Sequence, residues 1–210
     1  MYRHIVKRCF DFVFALLLLI LCAPIVLCVA LAVRLRLGRP ILFQQPRAGI
    51  GGRTFVLHKF RSMTDARDET GCLQPDDVRL TPFGGFLRAT SLDELPQLGN
   101  VIRGEMSLVG PRPLLIDYLP RYNPHQARRH ECRPGITGWA QVNGRNAIGW
   151  EERFDLDVYY VDHMSLWFDL KILALTVVRV FQRHGINQSD HPSMPEFRGA
   201  PELPVETGSE

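Results

Sequence analysis

The chain has 210 residues, 46% hydrophobic and 22% charged, which fits one compact domain with attachments rather than two large domains. A formal charge of +3 and a pI near 8.7 suit an anionic membrane surface or a nucleotide substrate and do not call for nucleic acid. Five cysteines without a C-x-x-C pair offer no disulfide framework and no structural zinc pattern, so a reducing cytoplasmic setting is the default.

The first predicted element is apolar. From Phe12 to Val33 there is no charge over about 22 residues, long enough for a helix to cross a bilayer. Two facts stand against a simple span. Arg3, Lys7 and Arg8 flank one end and Arg34, Arg36 and Arg39 the other, so the positive-inside rule pulls both ends to the same side. Pro24 lies near the centre, where it removes a backbone hydrogen bond and bends a helix. Two half-helices of about 12 residues at 1.5 Å each reach about 18 Å, short of a hydrocarbon core of about 30 Å. A re-entrant hairpin broken at Pro24 satisfies both facts, with a bitopic span as the alternative.

After Gly38-Arg39-Pro40 the chain turns globular. Ile41 to Gln45 and Thr54 to Phe60 read as short strands joined through Gly49, Gly51 and Gly52. These glycines are not a phosphate loop, since no Lys-Ser or Lys-Thr follows at the required spacing. Lys59 and Arg61 end the second strand. Thr64 to Val78 carries Asp65, Asp68, Glu69, Asp76 and Asp77 in a spacing unlike a calcium loop, and reads as a solvated surface loop. Pro82 to Leu87, leading into Arg88, reads as a short helix that either lies against lipid headgroups or packs into the core.

Ser91 and Glu94 have capping-box spacing, and Leu95, Leu98, Val101 and Ile102 repeat at helical spacing up to a stop at Gly104. Asp93 and Glu94 therefore belong to a helix start, where carboxylates complement the dipole. The same geometry has a chemical reading. Two adjacent carboxylates can share a divalent cation, and Arg88 and Arg112 are of the type that grips phosphate through two parallel bonds. An ionised Asp, a metal-binding Glu and phosphate-gripping arginines describe phosphoryl transfer through a covalent aspartyl phosphate. Pro111 and Pro113 fix the backbone around Arg112, giving either an ordinary rigid turn or a pre-organised guanidinium.

Arg128, Arg129, His130 and Arg133 form either a solvated face or a patch meeting lipid phosphates. Gln141, Asn143, Arg145 and Asn146 follow the turn Pro134 to Gly138 and offer groups able to read a uracil or an acetamido sugar, Arg145 foremost. Glu151 to Tyr160 fits a helix with Phe154, Val158 and Tyr159 or Val161 inward. A second helix runs from Ser165 to Arg183, with Gly185 as its cap. Tyr159, Tyr160, Trp167 and Phe168 either anchor at a lipid interface or fill the core. Asp190 to Glu210, rich in proline and glutamate, reads as a flexible tail.

Ser91 to Gln97, Asn100-Val101, Met106 to Pro113 and Arg133 to Gly138 together resemble the bacterial sugar transferase family, the small monotopic phosphoglycosyl transferases that open membrane-bound glycan assembly. The likeness runs from Tyr2 to about Gly185. Within the family it is closer to transferases of UDP-N,N'-diacetylbacillosamine, through Pro113-Leu114-Leu115, Tyr118-Leu119-Pro120 and Gln141 to Ala147.

The resemblance implies an α+β fold, with a re-entrant membrane helix (1–39), a mostly helical catalytic domain with a short β-hairpin and interfacial helices (40–189), and a tail (190–210). The family often has Ser-Pro where this chain has Ala23-Pro24. It implies Asp93 as nucleophile, Mg2+ on Asp93 and Glu94, and substrate phosphate contacts from Lys59, Arg88, Arg112 and Arg145. It implies a UDP-sugar and undecaprenyl phosphate as substrates at the cytoplasmic face of a bacterial inner membrane. UDP-glucose, UDP-galactose and UDP-N-acetylgalactosamine stay open as donors. A non-catalytic membrane-anchored scaffold and an aspartyl-phosphate phosphatase are the rival readings. Self-association or contact with downstream glycosyltransferases is left open by the sequence.

Overall fold

The computed structural model describes residues 2–144, 148–182 and 196–199. A π-helical turn, Tyr2–Val6, leads into α1 (Lys7–Leu21), which gives way at Cys22 to α2 (Ala23–Arg36) with a bend of 64°. Pro24 sits in the first turn of α2, where its missing N–H would have had no helical partner anyway. Among the described residues no single helix is long and apolar enough to cross a membrane, and α1 and α2 meet that test only as a bent pair. Phe12, Leu17, Leu21, Leu27 and Leu31 are exposed along the pair.

The strands β1 (Leu42–Ala48) and β2 (Thr54–Phe60) pair antiparallel, Leu42 opposite Phe60 and Ala48 opposite Thr54. β1 starts one residue later than the pattern predicts and runs on through Pro46 to Ala48. Pro46 faces Val56, whose carbonyl, like the N–H of His58, points away from β1. The pair therefore needs no N–H from position 46, and the proline costs the ladder nothing.

The loop from Thr64 ends in a single turn, α3 (Asp76–Arg79), and Thr81 then caps α4 (Pro82–Ala89), its hydroxyl accepting from the Gly84 N–H at 3.0 Å. Leu87 of α4 is buried while Phe86 is exposed, so the helix divides its apolar residues between core and surface. α5 (Gln97–Arg103) ends at Gly104 in the left-handed conformation, as predicted. Its start differs from the prediction. Ser91 has φ of 57° and no capping bond, so the Ser91–Glu94 box does not form, and α5 begins only at Gln97. A helix N-cap needs extended backbone, which a left-handed serine cannot supply. A capping box does occur at α6 (Pro124–Ala127), between Asn123 and Gln126.

β3 (Ser107–Val109) and β4 (Gly135–Thr137) form a two-stranded parallel sheet that the sequence reading missed, because each strand is only three residues long. Three glycines let it close. A Cβ on Gly135 would lie 2.1 Å from the Gly110 nitrogen, one on Gly110 2.4 Å from the Arg133 carbonyl, and one on Gly138 2.2 Å from the Gly110 carbonyl. After α7 (Trp139–Asn143), α8 (Trp150–His163) and α9 (Leu166–Gln182) pack over this sheet. The core joins Leu98, Val101, Met106, Val109, Val161 and Ile172, with Ala15 of α1 included.

Tyr160 belongs to this core and donates to Asp169 at 2.7 Å, whereas Trp167 is 81% exposed and Tyr159 faces outward. Asp169 also accepts from Lys7 at 2.6 Å and from Tyr2, fastening the N-terminal helix to α9. Asp11 accepts from the Leu108 N–H at 3.1 Å and ties the same helix to β3. Of the stretch read as a tail, only 196–199 is described, and there Phe197 is buried against Leu114, Tyr118 and Phe154. Arg183 and the predicted cap at Gly185 lie outside the described residues.

Candidate active site

Asp93 and Glu94 sit on a 3₁₀ turn, Leu92–Glu94, entered through the left-handed Ser91 and continued through Leu95 and Pro96 into α5. Ser91 is the only non-glycine residue with positive φ among the described residues, and such a conformation costs roughly 1–2 kcal/mol. The strain sits two residues before a buried carboxylate, the sort of place where backbone strain accompanies function.

The two carboxylates have opposite environments. Glu94 Oε1 accepts from Lys59 Nζ at 2.6 Å and from an Arg112 guanidinium nitrogen at 3.0 Å. Burial alone would raise its pKa, but Lys59 and then Arg112 outweigh that and hold it below the usual carboxylate range. Asp93 is 6% exposed and makes no ion pair among the described residues. Burial pushes its pKa up to about 6, the Glu94 charge adds to the rise, and Lys59, Arg112 and Arg88 only partly pull it back. Neighbouring carboxylates with pKa values driven apart signal separate roles. Glu94 stays anionic with its cations. Asp93 is ionised at neutral pH yet more basic than a free aspartate, which suits a nucleophile.

The cations come from three elements. Lys59 lies near the end of β2, opposite Phe43. Arg88, in the last turn of α4, donates from Nε to Ser62 Oγ at 3.0 Å and acts on Asp93 through its charge. Arg112 stands between two buried prolines, and its carbonyl accepts from Arg129 at 2.7 Å. The neighbouring Pro111 carbonyl accepts from the Gly135 N–H at 2.9 Å. The backbone is therefore fixed while the Arg112 side chain, 41% exposed, reaches Glu94. The structure thus brings together Asp93, Glu94, Lys59, Arg88 and Arg112. Arg145 and Asn146 lie outside the described residues. Gln141 and Asn143 bond locally, to the carbonyls of Ile136 and Trp139.

Among the described residues no group of three or more His, Cys, Asp or Glu side chains converges. Two carboxylates beside a lysine and two arginines do not make a closed cage. They do suit magnesium, which takes one or two carboxylates and completes its shell with substrate phosphate and water.

Two supports escaped the sequence reading. Ser62 positions Arg88. Arg129, read as part of a solvated or lipid-facing patch, is instead buried against Asp157 at 2.8 Å, stacked near Phe154 and holding the Arg112 carbonyl. The signal for it was available: Asp157 falls on the stripe Phe154, Val158, Val161 of α8, and a carboxylate on a buried stripe needs a partner.

Comparison with known proteins identifies the family. A model of the family described as bacterial sugar transferase matches residues 2–183. The chain is 56% identical over 196 residues to EpsL of Bacillus subtilis strain 168, described as an uncharacterized sugar transferase, covering 93% of this chain and 97% of that protein. It is 42% identical over 189 residues to the UDP-glucose:undecaprenyl-phosphate glucose-1-phosphate transferase of Escherichia coli K12, covering 85% of this chain and 41% of that one. It is 40% identical over 191 residues to the galactosyl transferase CpsE of Streptococcus agalactiae, covering 84% and 42%. The chain therefore spans less than half the length of the latter two.

Proposed function

The chain belongs to the bacterial sugar transferase family, and on that premise we propose that it moves a sugar 1-phosphate from a UDP-sugar to undecaprenyl phosphate through an Asp93 adduct. The observation carrying this reading is the division of labour in the dyad, with Glu94 clamped by Lys59 and Arg112 and the more basic Asp93 left without a cation of its own.

An Asp93 carboxylate oxygen attacks the β-phosphorus of the donor. The bond from that phosphorus to the oxygen bridging the two phosphates breaks, and UMP leaves with the electron pair. The phosphosugar is then held on Asp93 as an acyl phosphate. A phosphate oxygen of undecaprenyl phosphate attacks the same phosphorus, the acyl-phosphate bond breaks, and the carboxylate is restored. Arg88 and Arg112 hold non-bridging oxygens whose charge grows in each transition state. Magnesium, when bound at Asp93 and Glu94, supplies charge neutralisation on the diphosphate.

One substrate is soluble and the other is a lipid, which gives the bent α1–α2 pair a purpose. We take it as a re-entrant anchor broken at Pro24, holding the site at the cytoplasmic face of a bacterial inner membrane. A single cysteine placed near the N-terminus of a cysteine-free variant is expected to be shielded from an impermeant reagent added outside; labelling from outside refutes the hairpin.

For the donor, the Pro113 to Pro120 and Gln141 to Ala147 likeness favours UDP-N,N'-diacetylbacillosamine, while the relatives' names carry glucose and galactose. UMP release across a panel of these UDP-sugars decides between them. Mass spectrometry of enzyme quenched after donor addition is expected to find the phosphosugar on Asp93; product formation without that adduct overturns the mechanism.

A further inference from the structure

Asn100 is fully buried in α5 between the core residues Leu98 and Val101. Asparagine is a mediocre helix former, and burying its amide is unfavourable unless its polar atoms are bonded. Here they are. Its Oδ1 accepts from the His58 N–H at 3.3 Å, and its Nδ2 donates to the Val56 carbonyl and to Glu105 Oε2, both at 2.7 Å.

Val56 and His58 present these groups on the edge of β2 that faces away from β1. The Asn100 amide offers that edge the same carbonyl and N–H pair that a third strand would. It thereby closes the open edge of the hairpin at the residues just before Lys59. On its other side, α5 is coupled to the dyad turn by short-range backbone bonds, from Leu98 to Leu95 at 3.1 Å and from Gly99 to Pro96 at 3.0 Å. Lys59 comes from one of these bodies and Glu94 from the other, and they meet at 2.6 Å. Asn100 adds a buried polar link between the two to the apolar packing of Leu57 with Leu98 and Val101.

We propose that Asn100 is a positioning residue that sets the Lys59–Glu94 pair by docking β2 onto α5, an inference that rests on the catalytic reading of that pair. Asn100→Asp keeps the acceptor for His58 but turns an oxygen toward the Val56 carbonyl and the Glu105 carboxylate. Asn100→Ala removes its three hydrogen bonds and leaves the apolar core and the exposed Arg103–His58 contact at 3.2 Å to hold α5 to β2.

The test is a double-mutant cycle with Lys59→Met, using UMP release from the UDP-sugar and a thermal melt of each purified variant in detergent. With Lys59 present, Asn100→Asp is expected to lower kcat by roughly 10- to 100-fold, the scale of a small misplacement at a reacting centre. KM for the donor should stay unchanged in the folded protein. With Lys59→Met already in place, the same substitution should change kcat little, because the pair it serves is gone.

Full multiplication of the two losses overturns the proposal, as does activity that falls only in step with the folded fraction. If both Asn100 variants fail to fold, Asn100 is a folding residue only and the proposal is likewise overturned. A wild-type protein that releases no UMP from any donor would instead sink the catalytic reading, which keeps the two failures apart.

Discussion

Two pairs of opposite charges sit close together in this protein and serve different ends. Arg129 and Asp157 are both almost completely buried, their bond is 2.8 Å, and aromatic rings surround the guanidinium. Arg112 and Glu94 make a bond of 3.0 Å, but Glu94 also takes Lys59 and Arg112 remains open to solvent. The closed pair uses its charges on each other and on the Arg112 carbonyl. The open set carries more cations than it uses and can accept a further anion. Solvent access and spare positive charge, rather than the residue types, separate the closed pair from the one we propose to be reactive.

The contrast can be broken from the reactive side first. Asp93→Asn is expected to lower turnover by more than about 10⁴-fold while the melting temperature holds, and to abolish the labelled covalent intermediate. Next, on the closed side, Asp157→Ala strands the Arg129 charge and should destabilise the protein by about 3–5 kcal/mol, read from denaturant unfolding. Lys59→Met should reduce kcat by roughly 100-fold, since Glu94 loses its closest cation, and should destabilise the protein less than Asp157→Ala because Arg112 still pairs with Glu94.

A titration sharpens the comparison. Because the Asp93 pKa is raised to about 6, its carboxylate should gain a proton as pH falls through about 6, a transition absent from Asp93→Asn in difference infrared spectra of metal-free protein. The sign for stability is opposite to that of a salt-bridged aspartate. Between pH 3.8 and about 6 the folded chain keeps a proton that the unfolded chain has lost, so this group's contribution to stability falls as pH rises through that window. Added Mg2+ should move the transition to lower pH if the ion sits on the dyad. The smallest effect belongs to Arg128, whose pairs with Glu131 and Asp162 are exposed: Arg128→Ala should leave the melting temperature unchanged within error.

Much of this was legible in the residues. The uncharged stretch around Pro24 pointed to a broken apolar helix, the turn glycines before Thr54 to Phe60 to a strand, and Gly104 to a helix end, because each depends on local chemistry. The dyad by itself read equally as a helix start, and the resemblance to the sugar transferases singled it out. What escaped depends on partners distant in sequence. Arg129 looks like any basic surface residue until Asp157 is placed opposite it. Asn100 looks like a helix defect until β2 lies beside it. Ser91 followed by Glu94 carried a capping signature that a left-handed backbone overrode.

The contact of Gly110 with Gly135 and Gly138 has a genetic consequence. Each residue occupies space that the others leave empty, and none can be made smaller. A substitution at any of the three has no second-site suppressor within the trio, so a deep mutational scan should show all three columns blank together. Arg112, two residues beyond Gly110, inherits its place from a junction that selection can keep or lose but cannot retune by side-chain exchange.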